Sequence, residues 1–121
     1  MDTVKISSLL YHDVIENNDY NQSGFLGSGP KPYKLDFQEF KSHLLHLNAI
    51  KEISPITIAE LSQDNYINKF MLTFDDGGVS SYSLIKKVLD QLNWKGNFFI
   101  TGKYINKERF LSAEQILDLD N

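Results

Sequence analysis

The spacing of apolar residues changes period along this chain, and the changes mark its elements. Val4 to Tyr11 is a short run with an apolar patch, Ser7 and Ser8 inside it, and reads as a first strand ending at His12-Asp13. Residues 16–34 are polar and rich in Asn, Gly, Ser and Pro, with no helical period, so they read as one long loop. A loop of that length is either functional or a plain surface connection, and the pattern leaves both open. From Asp36 the period becomes helical. Phe37, Phe40, Leu44 and Leu47 fall on one face, Glu39 stands at the capping-box position, and Asn48 is a natural end. Ser54-Pro55-Ile56 is extended, because proline biases its predecessor away from helix. Thr57 with Glu60 repeats the capping spacing and predicts a short helix to about Leu61.

Lys69 to Phe74 is the clearest strand. Its near-continuous apolar run, Phe70, Met71, Leu72 and Phe74, predicts burial on both faces. Asp75-Asp76-Gly77-Gly78 ends it, and a helix begins near Ser81 with Leu84, Ile85, Val88, Leu89 and Leu92 on one side. After a break at Asn93 to Gly96, Asn97 to Thr101 forms the next buried strand, with Phe98, Phe99 and Ile100 as core. Ser112 with Gln115 is a third capping box and opens a last helix carrying Ile116, Leu117 and Leu119. Strands alternating with helices predict an α/β fold of parallel βαβ units, with about four parallel strands. Neither an internal repeat nor a second domain is visible, so residues 1–121 read as one domain.

Composition narrows the function classes. The formal net charge of −4 is spread out, with no basic stripe, which argues against a nucleic-acid partner. The absence of cysteine removes disulfides and thiolate metal sites. No stretch approaches the ~20 apolar residues of a membrane span, and the first residues make a poor secretory leader. As written, the chain is expected to be cytoplasmic.

The candidate chemistry lies at Thr73-Phe74-Asp75-Asp76-Gly77-Gly78. Two neighbouring carboxylates follow a buried strand, at the end where parallel α/β folds place their sites. Their repulsion is relieved by a cation or a shared proton. A metal on one of them would acidify a bound water, and the other could accept its proton. The glycines allow a sharp turn and a close ligand approach. The plainer account, a strand ending in a solvated acidic turn, stays open on this segment alone.

The wider pattern resembles the polysaccharide deacetylases, the carbohydrate esterase family four or NodB-like proteins. Leu9-Leu10-Tyr11-His12-Asp13-Val14 resembles their first strand, and Leu72-Thr73-Phe74-Asp75-Asp76-Gly77 is similar to their first signature motif. Asn97-Phe98-Phe99-Ile100-Thr101-Gly102 resembles the following strand, and Phe110 to Ile116 the helix after it. The resemblance implies a distorted (β/α) barrel of the deacetylase type. It implies Asp75 as catalytic base, Asp76 as metal ligand, and zinc or another divalent cation as cofactor. His12 and Gly77 become site-lining or substrate-binding candidates. The reaction implied is hydrolytic removal of acetyl groups from an N-acetylglucosamine-type polysaccharide, a hydrolysis of carbon–nitrogen bonds other than peptide bonds. Family members often act outside the cell or at the envelope.

The chain departs from that pattern. The family's His-x-x-x-His metal motif is missing, and the histidines are His12, His43 and His46 only. Catalytic zinc usually has three protein ligands, so this chain is expected to be a truncated, N-terminal portion of the domain with an incomplete metal site. His43 and His46 share a helix that buries its other side, so an exposed pair is the simpler account. Tyr20, Phe25 and Tyr33 could stack on sugar rings or pack back onto the domain; Trp94 reads as core. An open half barrel would expose sheet edges and an apolar face, which predicts self-association or a second polypeptide supplying the remainder. Two other readings stand beside this one: a phosphoacceptor receiver domain, disfavoured because its acid pair would sit on the first strand, and an inactive carbohydrate- or partner-binding module.

Overall fold

The computed structural model describes residues 6–62 and 67–120. Val4 and Lys5 of the expected first strand lie outside these. The described elements are β1 (Ser7–Tyr11), β2 (Asp13–Ile15), β3 (Lys34–Asp36), α1 (Phe37–Ala49), β4 (Ser54–Pro55), β5 (Lys69–Asp76), α2 (Lys86–Leu92), β6 (Asn97–Ile100) and α3 (Ala113–Leu119). A single π turn, Ser81–Ile85, leads into α2. No helix among the described residues is long and apolar enough to cross a membrane.

All strand pairs are parallel, as expected for βαβ units. Strand β5 is the hub. Strand β1 runs along one edge, Ser7 beside Phe70 through Tyr11 beside Phe74. The other edge is shared: β4 takes Lys69 and Phe70, and β6 takes Thr73 to Asp76. The gap between them leaves a β5 carbonyl without a ladder partner. The Asn97 amide fills it, donating to the Leu72 oxygen at 3.1 Å and accepting from the Ile58 N–H at 2.8 Å.

Helices cover one face of this sheet. Phe40 and Leu44 of α1, Val88 and Leu89 of α2, and Leu84 and Ile85 of the π turn pack on Phe70, Leu72 and Phe74. Tyr11 and Phe98 stack on either side of Phe74, at ring distances of 5.6 and 4.9 Å. Each such fully buried side chain contributes roughly 1.5–3 kcal/mol. The caps read from the sequence at Asp36 and Ser112 hold, whereas at Thr57 the side chain donates to Glu60 instead of capping its N–H, and the expected helix is a 3₁₀ turn, Ile58–Ser62. Asp36 accepts from the Gln38 and Glu39 N–H groups, Thr57 donates twice to Glu60, and Ser112 and Gln115 form the full reciprocal box.

Three expectations need correction. The stretch read as one loop, residues 16–34, ends in a 3₁₀ turn, Lys31–Tyr33, and in the first residue of β3, Lys34; β3 pairs with the unforeseen β2 as a separate two-stranded sheet. Such three-residue strands carry too little period to be seen. Strand β5 runs two residues beyond the expected Lys69 to Phe74, so that the acid pair at its C-terminal end forms its last two residues. The sheet is also not buried on both faces. Leu10, in register with Thr73, is 59% exposed, and Phe99, in register with Asp75, is 48% exposed. An apolar run cannot distinguish a covered face from one left open. Among the described residues the sheet does not close into a barrel.

Candidate functional site

Alternation along β5 puts Phe70, Leu72 and Phe74 on the helix-covered face and Met71, Thr73 and Asp75 on the open one. Asp75 therefore stands at the C-terminal tip of the central strand, on the open face, beside Phe99. Asp76 departs from the alternation. Its φ of 78° and that of Gly77, 80°, are both left-handed. That conformation costs a non-glycine residue of order 1–3 kcal/mol, and aspartate is among the residues that tolerate it. The turn brings the Asp76 carboxylate to His12, with Oδ2 3.2 Å from Nδ1.

The strain is held by what surrounds the turn. The Leu111 N–H donates to the Gly77 oxygen at 3.0 Å, and the Arg109 carbonyl accepts from both Val79 and Gly24, at 2.8 and 2.9 Å. Beneath Gly78 lies a buried polar knot. The Asp13 Oδ1 accepts from the Ser23 hydroxyl at 2.6 Å and from the Ser80 hydroxyl at 2.9 Å. Ser80 Oγ in turn accepts from the Val14 N–H, and Ser23 Oγ from the Ser80 N–H. A Cβ on Gly78 would sit 2.0 Å from Asp13 Oδ1, so only glycine permits this approach. Lys34 completes the knot: its ammonium donates to the carbonyls of Tyr20, Ser23 and Phe25. Burial pushes the Lys34 pKa down, a shift that the nearby Asp13 charge opposes. Asp13, Ser23, Ser80 and Lys34 were not singled out from the sequence; a run of polar letters does not reveal which will be buried together.

Two openings meet at the acid pair. One, of about 520 Å³, is lined by Asp75, Asp76, Phe99, Ile100 and Thr101. The other, of about 470 Å³, shares Asp76 and is bounded by His12, Pro30 and Tyr33 among others. The residues expected at the site, His12, Asp75, Asp76 and Gly77, thus lie together. His43 and His46 do not join them; both are exposed on α1, and His46 bonds back to the Ser42 carbonyl at 2.7 Å.

The two acids differ in their surroundings. Asp76 is engaged by His12, whereas among the described residues the Asp75 carboxylate has no side-chain hydrogen bond or ion pair. No group of three or more metal-ligating side chains placed to hold an ion occurs among the described residues. A complete zinc centre therefore does not fit this donor set, which offers two adjoining carboxylates and one imidazole.

Residues 63–118 match the family model for polysaccharide deacetylases. YxkH of Bacillus subtilis (strain 168), a protein named as a polysaccharide deacetylase, is 28% identical over 120 residues, covering 95% of this chain and 38% of its own length. Among solved structures, a de-N-acetylase from Aggregatibacter actinomycetemcomitans superposes with a TM-score of 0.78 at 15% identity, over 95% of this chain and 50% of that one. A polysaccharide deacetylase from Bacillus cereus superposes with a TM-score of 0.77 at 20% identity, over 97% of this chain and 36% of that one. At these identities the structural likeness establishes the fold. The chain spans half or less of each of these relatives.

Proposed function

We propose that this chain, whose residues 63–118 match the polysaccharide deacetylase family model, is a member of that family and that its acid pair serves the hydrolytic removal of acetyl groups from an N-acetylglucosamine-type polysaccharide. The observation that carries this reading is the asymmetry between the two neighbouring carboxylates. Asp76 is held by His12 through a left-handed turn, while Asp75, at the strand tip and lining an opening, has no side-chain hydrogen bond or ion pair among the described residues.

In this reading Asp75 is the general base. It takes a proton from water as the oxygen attacks the acetyl carbonyl carbon; the tetrahedral adduct then collapses with cleavage of the C–N bond, the nitrogen leaving with that proton as the amine and the acetyl group as acetate, so the step needs an accessible carboxylate. Asp76 is the metal-ligand candidate, with His12 orienting its carboxylate by their hydrogen bond. Gly77 keeps backbone close to the substrate path. Zinc or another divalent cation is the proposed cofactor of a complete domain. The described residues supply only part of its ligand set, so metal binding by this chain alone is expected to be weak.

That incomplete ligand set favours a second reading, an inactive module that binds carbohydrate or a partner polypeptide. Acetate release from an N-acetylglucosamine oligomer separates the two. In a polypeptide joining this chain to the remainder of a barrel, Asp75→Asn is expected to lower turnover by roughly 10²–10⁴-fold while zinc stays bound. Asp76→Ala is expected to lose zinc. Undiminished hydrolysis by Asp75→Asn removes the base assignment; no acetate release in any form leaves the binding module.

A further inference from the structure

The three aromatic residues of the long polar loop region have different fates. Phe25 turns inward, edge-on to Tyr104 and Phe110 at 5.0 and 5.1 Å. Tyr20 is capped by the Lys31 ammonium, 4.5 Å from its ring centre. Tyr33 does neither. It is 61% exposed, and its ring contact is with His12, at 5.0 Å and an interplanar angle of 73°. His12 is the residue bonded to Asp76, so Tyr33 stands one side chain away from the acid pair. Together with His12, Phe25, Gly29, Pro30 and Asp76 it lines the opening of about 470 Å³, within the size range of small-ligand sites.

The backbone on both sides of Tyr33 is pinned. The Tyr33 N–H donates to the Pro30 oxygen at 2.9 Å, closing the turn on its N-terminal side. On its C-terminal side, Lys34 pairs in register with Asp13, and its ammonium is bonded to three loop carbonyls. An exposed aromatic ring on so constrained a backbone is pre-organised: ordering it on binding costs little. A pyranose fits this arrangement. Its C–H face suits the negative face of an aromatic ring, and its hydroxyls can reach the polar groups beyond.

We propose that Tyr33 is a sugar-stacking platform, forming a subsite that seats a sugar ring of a β-linked N-acetylglucosamine chain next to the ring at the acid pair. The proposal rests on the deacetylase reading for its substrate class, but its test reads binding and not hydrolysis. The probe is a β-linked N-acetylglucosamine tetramer, titrated into the whole chain and followed by tyrosine-ring NMR signals. Tyr33 resonances, assigned by their loss in Tyr33→Phe, are expected to shift. Tyr33→Ala is expected to weaken binding about tenfold, and Tyr33→Phe less than about twofold, because the ring and not the hydroxyl does the stacking. Lys87→Gln, exposed on α2 and away from both openings, should bind as the unmodified chain does. Tyr33 is exposed, so these variants should fold; unchanged amide spectra verify it. Equal binding by Tyr33→Ala, or no binding at millimolar tetramer, overturns the subsite. Tyr33-dependent binding without acetate release upholds it and counts against the hydrolytic reading alone.

Discussion

Replacing Gly78 by alanine tests whether the buried knot under the acid turn holds the site together. The residue has no left-handed φ, so the added methyl meets only steric opposition. Its Cβ would lie 2.0 Å from Asp13 Oδ1, 2.7 Å from Ser23 Oγ and 2.9 Å from Asp13 Cγ. The Asp13 side chain is short, buried and bonded to two serines, so it cannot move aside without giving up those bonds. Hydrogen bonds to a charged group contribute about 1.5–3 kcal/mol each, and displaced groups recover part of this elsewhere. The expected destabilisation is about 3–4 kcal/mol, against the roughly 6–18 kcal/mol typical of a domain this size. Urea denaturation at constant slope reads it as a lower midpoint. A double-mutant cycle supplies the discriminating arm. With Asp13→Ala the obstructing carboxylate is gone, and Ser23 Oγ, 2.7 Å from the new Cβ, has lost the acceptor that fixed its hydroxyl and can turn aside, so adding Gly78→Ala should cost less than about 1 kcal/mol, a coupling of about 2–3 kcal/mol. A cost below about 0.5 kcal/mol for Gly78→Ala alone, or the same cost in both backgrounds, refutes the argument.

Two further outcomes follow from local electrostatics and from the open face. The side-chain and backbone hydrogen bonds from Thr57 hold the Glu60 pKa below its ordinary value of 4.5. The stabilisation is therefore present above about pH 4.5 and lost as the pH falls through the depressed value; Glu60→Gln should flatten the urea-midpoint profile below about pH 4.5, and an unchanged profile counts against the bond. We also expect the chain to self-associate through the open face of the sheet, where Leu10 and Phe99 are exposed. Leu10→Lys with Phe99→Lys should shift sedimentation toward monomer without lowering the urea midpoint, whereas a wild-type chain that stays monomeric at high concentration defeats the expectation.

The sequence by itself determined the local elements. Helical spacing marked Phe40 and Leu44 as a buried face, the capping residues marked where α1 and α3 begin, and the apolar run before Asp75 marked β5. These are short-range properties, carried by periodicity and by side chains that bond within four residues. The acid pair at a strand tip was legible for the same reason. Tertiary structure alone decided which distant residues meet there. His12 reaches Asp76 across 64 positions, and Ser80 reaches Asp13 across 67. It also decided that one side of β5 is covered while Leu10 and Phe99 on the other stay exposed, and that Tyr33 faces out where Phe25 turns in. Those outcomes depend on how whole elements pack and on how backbone strain at Asp76 is balanced by bonds from remote segments, and no local spacing encodes either.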